Sequence, residues 1–152
     1  MKIRRFKPSD AAEMARMHRS TIREINSSDY SKKQVAAWSG RSTAKRFRKS
    51  MKQRIRFVAI GKNKIIGFGD FTKDGEINGL YVHPKYIGKG VGKKLLRKME
   101  KTALELGIAK FTVKSSLTAK DFYKSRGYKL LKKTVFRRKG LHLQVYNMEK
   151  AL

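Results

Sequence analysis

Cysteine is absent from the 152 residues. Its absence removes thiol catalysis, disulfide cross-links and thiolate metal sites, and fits an intracellular protein. Long apolar runs are missing too: no stretch approaches the about 20 residues that a membrane span requires. Met1 to Asp10 is charged, with none of the apolar core of a secretion signal. The expectation is therefore a soluble, cytoplasmic chain with no membrane partner. No cluster of His, Asp and Glu has metal-ligand spacing, so no metal is expected. Carboxylates are scarce, with 11 Asp and Glu against 39 Lys and Arg and a formal net charge of +28. From Tyr30 to Gly69 there is no acid at all, while Arg41, Lys45, Arg46, Arg48, Lys49, Lys52, Arg54 and Arg56 crowd one segment. A second acid-free block, Phe122 to Met148, holds Lys129, Lys132, Lys133, Arg137, Arg138 and Lys139. Such a surface attracts polyanions and steers anionic ligands, though a general solubility bias gives the same composition.

What is present is centred on one stretch, Leu80 to Leu96. It opens with β-prone Leu80, Tyr81 and Val82, bends at Pro84, passes through Gly88, Gly90 and Gly92, and continues with helical spacing. Strand, tight loop and helix start are the natural reading. Glycines let the backbone approach a ligand closely, and the unpaired N–H groups of a helix's first turn suit a phosphate or pyrophosphate. An ordinary Gly-rich turn is the alternative. The spacing excludes a GxxxxGK[ST] P-loop. A dinucleotide fingerprint is excluded as well, because the glycines sit mid-chain and no suitable acid follows about 20 residues later.

Around that stretch the chain orders itself. Lys2 to Phe6 alternates as a first strand. Asp10 and Glu13 are spaced like a capping box for a helix striped by Met14, Met17, His18, Thr21, Ile22 and Ile25, which Asn26 to Asp29 breaks. Ser31 and Gln34 open a short helix carrying Val35 and Trp38 and stopping at Ser39-Gly40. Ser42 caps a third, basic helix through Ala44, Phe47 and Met51. A three-strand meander follows: Phe57 to Ile60, Ile65 to Phe71, and Glu76 to Val82. After the glycine loop, Val91, Leu95, Met99, Ala103 and Leu106 face one way on a helix that Gly107 closes. Phe111 to Val113 is a strand, Ala119 to Tyr123 lies on a short helix ending at Gly127, and Tyr128 to Phe136 with Leu141 to Met148 make a terminal hairpin. With no linker or internal repeat, residues 1–152 are expected to form a single domain.

The glycine stretch closely resembles the acetyl-CoA-binding segment of the GNAT N-acetyltransferase superfamily, Arg/Gln-x-x-Gly-x-Gly/Ala. Gly90 and Gly92 match, while Ile87 stands at the leading polar position. A second segment, Ser116-x-x-Ala119-x-x-Phe122-Tyr123-x-x-x-Gly127-Tyr128, is similar to the family's Asn-x-x-Ala-x-x-Phe-Tyr-x-x-x-Gly-Phe, with Ser116 and Tyr128 as departures. The element order is the GNAT order, so the resemblance spans nearly the whole chain. Ile22-Arg23 to Asp29-Tyr30-Ser31, then Gln34 and Trp38, resemble an uncharacterised bacterial and archaeal branch. The fold implied is α+β, a mixed and mostly antiparallel sheet flanked by helices and splayed at the acetyl-CoA site.

What the resemblance implies for chemistry is an acetyl-CoA-dependent N-acetyltransferase acting on a primary amine of a small molecule or protein. The backbone of Leu80, Tyr81 and Val82 would hold the pantetheine arm and thioester carbonyl. The amides of Gly88, Lys89, Gly90, Val91, Gly92 and Lys93 would hold the pyrophosphate. Tyr123 corresponds to the general acid for the departing thiolate, with core packing beside Phe122 as its plain alternative. Ser116 would bond the pantetheine amide or cap the Tyr123 helix. Glu76, six residues before Val82, matches the catalytic glutamate of histone-type members. His83, with its reference pKa near neutrality, is the rival base. His18 lies on an apolar stripe and is expected to be packed. Arg23, Tyr30 and Trp38 are candidates for the acceptor pocket, and each is as easily structural. The rival class is a polyanion-binding module on the same fold, using the acid-free surfaces on RNA, DNA or the ribosome. Monomer and homodimer are both open.

Overall fold

Alternating apolar residues build seven strands, and the helices between them carry one apolar stripe each. The structure, a computed structural model, describes residues 1–152. In chain order the elements are β1 (Lys2–Arg5), α1 (Ala11–Glu24), α2 (Lys32–Gly40), α3 (Ala44–Ser50), β2 (Ile55–Gly61), β3 (Lys64–Phe71) and β4 (Glu76–Val82). Then come α4 (Val91–Glu105), β5 (Lys110–Ser116), α5 (Lys120–Ser125), β6 (Lys129–Arg138) and β7 (Leu141–Ala151). One sheet holds all seven strands in the order β1-β2-β3-β4-β5-β7-β6. Every neighbouring pair is antiparallel except β4 and β5, which run parallel across the α4 crossover. No helix is long and apolar enough to cross a membrane.

The sheet buries both faces. Under α4, the side chains Val91, Leu95, Leu96, Met99 and Ala103 pack on Phe57, Ile66, Phe71, Ile77, Phe111 and Val113, with Tyr123 and Tyr128 completing the cluster. Leu95 and Met99 are fully buried, and truncating either to Ala costs about 2–5 kcal/mol. The opposite face is covered by α1 and α2: Met14 and Met17 sit on Val58, Ile65 and Phe68, while Ile22, Tyr30, Val35 and Trp38 meet Leu141, Leu143 and Val145. The exposed basic residues of the acid-free segments fall largely on α3 and on β6, the outer strand of the sheet, whereas Arg56 of the first cluster is buried.

Local starts differ from the expectations at two places. Asp10 does not cap with Glu13. Its carboxylate accepts from the Lys7 N–H at 2.8 Å and takes both guanidinium arms of Arg4 at 2.8 and 2.9 Å. That bond to Arg4 holds its pKa below the usual carboxylate range. Glu13 instead accepts the N–H of Ile65 at 2.6 Å and ties α1 to β3. Nor does Ser42 cap the basic helix: Thr43 does, accepting from Arg46 N–H at 3.2 Å. Ser42 is buried, and its Oγ meets His18 Nδ1 at 2.8 Å. The box at Ser31 and Gln34 forms as the spacing requires, with reciprocal bonds of 2.8 and 3.1 Å.

Candidate active site

A gap opens in the middle of the sheet. β4 and β5 pair only at Glu76 with Thr112 and Ile77 with Val113. On its other edge β4 slips by one residue against β3: Ile77 opposes Phe71 and Gly79 opposes Asp70, which leaves Asn78 as a bulge. A bulge bends its strand, and beyond this one β4 has no partner on the β5 side. His83 N–H bonds Ile66 O at 2.8 Å. By antiparallel alternation, Leu80 and Val82 therefore turn their N–H and C=O groups away from β3 and into the gap. Thr21 Oγ1 donates to Val82 O at 2.9 Å; the others stay open to an extended ligand.

The gap leads into a cleft of about 330 Å³. At its upper end lies the glycine loop. Gly88 and Gly90 adopt φ values of +80° and +83°, in the left-handed region that favours glycine. A side chain on either would project into open space. The N–H groups of Gly88, Gly90, Val91, Gly92 and Lys93 have no partner in the protein, and the first bond of α4 is Lys94 N–H to Gly90 O at 3.1 Å. Only the N–H of Lys89 bonds back, weakly, to Tyr86 O at 3.4 Å. Free donors around a concave backbone at the positive end of a helix make an anion cradle. The Lys89 ammonium lies over the Tyr86 ring, 5.4 Å from its centroid.

Tyr123 is brought into the same cleft by α5. Its ring is buried against Phe122 and Tyr128, yet its hydroxyl has no hydrogen-bond partner and is not among the sealed polar atoms. Two other core tyrosines use their hydroxyls for the fold. Tyr30 donates to Gln144 O at 2.6 Å and accepts from Leu117 N–H at 2.9 Å, and Tyr128 donates to Glu100 at 2.8 Å. Burial, with Tyr81 and Asp70 nearby, pushes the Tyr123 phenol well above its ordinary pKa. A phenol so placed keeps its proton and has that proton to donate.

Glu76 borders the cleft from the first residue of β4, at the closed end of the gap. Its neighbour Ile77 points under α4, so strand alternation turns Glu76 to the face of α1 and α2. Trp38 and the ring of Tyr81 line the cleft as well. Ser116 also borders it, and its Oγ accepts from Ala119 N–H at 3.1 Å in the turn ahead of α5, whose own N-cap position is Ala119 and has no side-chain cap. Three candidates lie elsewhere. Arg23 is exposed on the last turn of α1, off the cleft wall. Tyr30 is a brace between β7 and the β5–α5 loop. His83 opens on a separate hollow with Glu13 and Lys64, and its Nδ1 accepts from Lys85 N–H at 3.1 Å.

His18 is packed, as its stripe position implied. Its ring meets Phe47, Phe68 and Tyr81 edge-on, its Nε2 is sealed without a partner, and burial lowers its pKa to about 3. Beneath Tyr81 lies a buried ion pair, Arg56 Nε to Asp70 Oδ2 at 2.7 Å, with Arg56 also bonding Phe47 O and Ser50 Oγ at 2.8 Å. Burial raises the Asp70 pKa despite this partner.

Sequence reasoning missed several residues of the wall. Asn26, which read only as a helix breaker, is buried beside the cleft with Oδ1 unpartnered, and Thr118 Oγ1 is unpartnered in the same way. Phe136 on β6 lines the cleft as well. No local pattern marks them, because they meet only through the sheet's order.

A sheet opened between two parallel strands, a helix start with free amides and a protonated phenol in the opening together define an acyl-transfer enzyme. The profile of the acetyltransferase (GNAT) domain matches residues 26–152, and the chain belongs to the GNAT acetyltransferase family. The chain is 29% identical over 132 residues to the uncharacterized N-acetyltransferase YafP of Escherichia coli, covering 87% of this chain and 83% of that protein. A GCN5-related N-acetyltransferase structure from Rhodopseudomonas palustris superposes with a TM-score of 0.94 at 30% identity, over 99% of this chain and 95% of that one. The fold is also that of the PaiA N-acetyltransferase from Thermoplasma acidophilum, solved with coenzyme A (TM-score 0.82, 20% identity, 99% and 98% covered).

Proposed function

We propose that the protein moves the acetyl group of acetyl-CoA directly to a primary amine, with no acetylated enzyme along the way. The carrying observation is the row of unpaired amides at Gly88 and from Gly90 to Lys93, continuous with the open edge of Leu80 and Val82. This row fits a diphosphate followed by an extended, amide-bearing arm, which is the shape of the coenzyme. Acetyl-CoA supplies an activated acyl group whose leaving thiolate is a weak base. The chain's own residues do the rest.

Glu76 takes a proton from the acceptor ammonium through water, which frees the nitrogen lone pair. The nitrogen forms a bond to the acyl carbon as the carbon–sulfur bond breaks. Tyr123 delivers its hydroxyl proton to the sulfur and is reprotonated by the second proton, which the acylated nitrogen sheds, while Glu76 passes the first to solvent. The products are an amide, a free thiol and one proton. The open N–H groups of Leu80 and Val82 are the donors available to charge developing on the acyl oxygen. No cysteine exists to carry an acyl group, in keeping with direct transfer.

Titration with acetyl-CoA gives saturable binding on this reading. Tyr123→Phe lowers kcat about 100-fold or more while coenzyme affinity stays within about twofold. An unchanged kcat removes Tyr123 from the mechanism.

A further inference from the structure

The cleft is nearly free of charge on its walls. Glu76 is its one carboxylate, and Lys114, exposed, is its one cation. The remaining polar groups near the acceptor side, Thr21, Asn26 and Thr118, are neutral. Trp38, Phe136, Leu143 and Val145 supply an apolar surface between them. The volume of about 330 Å³ must take the thioester end of the coenzyme and the amine end of the acceptor together. Any larger acceptor therefore extends past Phe136 to the rim.

The rim is the opposite of neutral. Arg138, two residues along β6 from Phe136, places its guanidinium 4.8 Å from that ring's centroid. Arg41 follows the helix that carries Trp38, its N–H bonding Trp38 O at 3.1 Å. Burial first, then the like charges of Arg46 and Arg138, hold the Arg41 pKa below its ordinary value. None of them forms an ion pair: the four in the molecule are Arg4–Asp10, Arg56–Asp70, Lys110–Glu149 and Lys150–Glu100. Clustered guanidinium groups without counter-ions are poised to bind an anion.

Resting on the acetyl-transfer reading above, we propose that the acceptor carries one ammonium, an apolar body and an anionic group at its far end, which Arg138 and Arg41 hold. The ammonium goes to Glu76, the body lies along Trp38 and Phe136, and the carboxylate or phosphate reaches the guanidinium rim. A polycation has no second carboxylate to meet in the cleft, and its outer ammonium faces like charge at the rim.

A matched series of six-carbon amines tests this. Coenzyme A release, read with a thiol reagent that finds no cysteine in the enzyme, is measured for 6-aminohexanoate, hexylamine and hexane-1,6-diamine, with spermidine added as a polycation. In low salt, kcat/KM falls in that order by about tenfold or more from first to third, and the spread narrows as salt screens the rim. 6-Aminohexyl phosphate in place of the carboxylate tells which anion the rim prefers. Arg138→Ala, at an exposed strand end, raises KM for 6-aminohexanoate about fivefold with kcat within about twofold, and leaves hexylamine unchanged. A merely structural role for Arg138 would move all the amines alike. A diamine or spermidine preference overturns the proposal, as does equal use of all the amines, or of none, by an enzyme that binds acetyl-CoA. Failure to bind acetyl-CoA at all is a separate result, and it overturns the transfer reading instead.

Discussion

The two walls of the cleft are made of different material. On the side proposed for the coenzyme the open groups are main-chain amides, exposed because Gly88 and Gly90 take positive φ and because Asn78 bulges β4 away from β5. On the side proposed for the acceptor they are side chains, Glu76, Asn26, Trp38 and Phe136, drawn from four separate segments and held by packing. The first wall depends on a few φ values and tolerates many side chains. The second depends on a whole core. Each therefore fails in a different way when mutated.

The largest effect is expected on the acceptor side. Arg56→Ala leaves Asp70 buried and unpaired beneath Tyr81, which costs about 3–5 kcal/mol. Thermal unfolding shows it as a large drop in Tm, and an unshifted Tm would mean the pair is not a support. Tyr123→Phe comes next in free energy, since a 100-fold loss of kcat is about 2.7 kcal/mol, and it lowers rate without touching either wall's stability. Acid is the third test. The folded His18 pKa is about 3 against an unfolded value near 6.5, so the unfolded chain binds the extra proton and stability falls as pH drops through that window. From pH 7 to pH 5 this amounts to up to about 2 kcal/mol. His18→Phe should flatten the dependence of Tm on pH over that range, and a dependence identical to the parent's would show that His18 is not its source.

The smallest effect probes the coenzyme side alone. Gly90→Val forces a branched residue into left-handed backbone at about 1–2 kcal/mol, and acetyl-CoA binding by calorimetry is expected to weaken about tenfold. Titration of the acceptor should be the less affected, and an equal loss for both ligands would erase the distinction between the walls.

That distinction also explains how much was legible in the sequence. Tyr123 and Glu76 were singled out only by the family resemblance, while the glycine loop stood out because main-chain demands leave fixed residue types at fixed spacing. The element order came through for the same reason: periodicity and turn residues are local. Ser42 misled, since its hydroxyl serves His18 from across the core while Thr43 does the capping. Asp10 misled because Arg4, on a different element, claims its carboxylate. Asn26 and Phe136 were silent, for the turn after α1 and the outer strand β6 reach the same cleft only through the folded sheet. Arg23 and His83 belonged to suggestive stretches, yet the helix end and the bend carry them off the cleft.

The bulge at Asn78 has one more consequence. By parting two strands it keeps a raw border inside the molecule, hydrogen-bonding groups of the kind that elsewhere recruit a stray chain. A ligand that docks there acts as a temporary eighth ribbon and knits the two halves of the sheet across their narrowest seam. The apo form should accordingly melt earlier and exchange its amides faster around that seam than the saturated form, by an amount set by RT ln(1 + [L]/Kd).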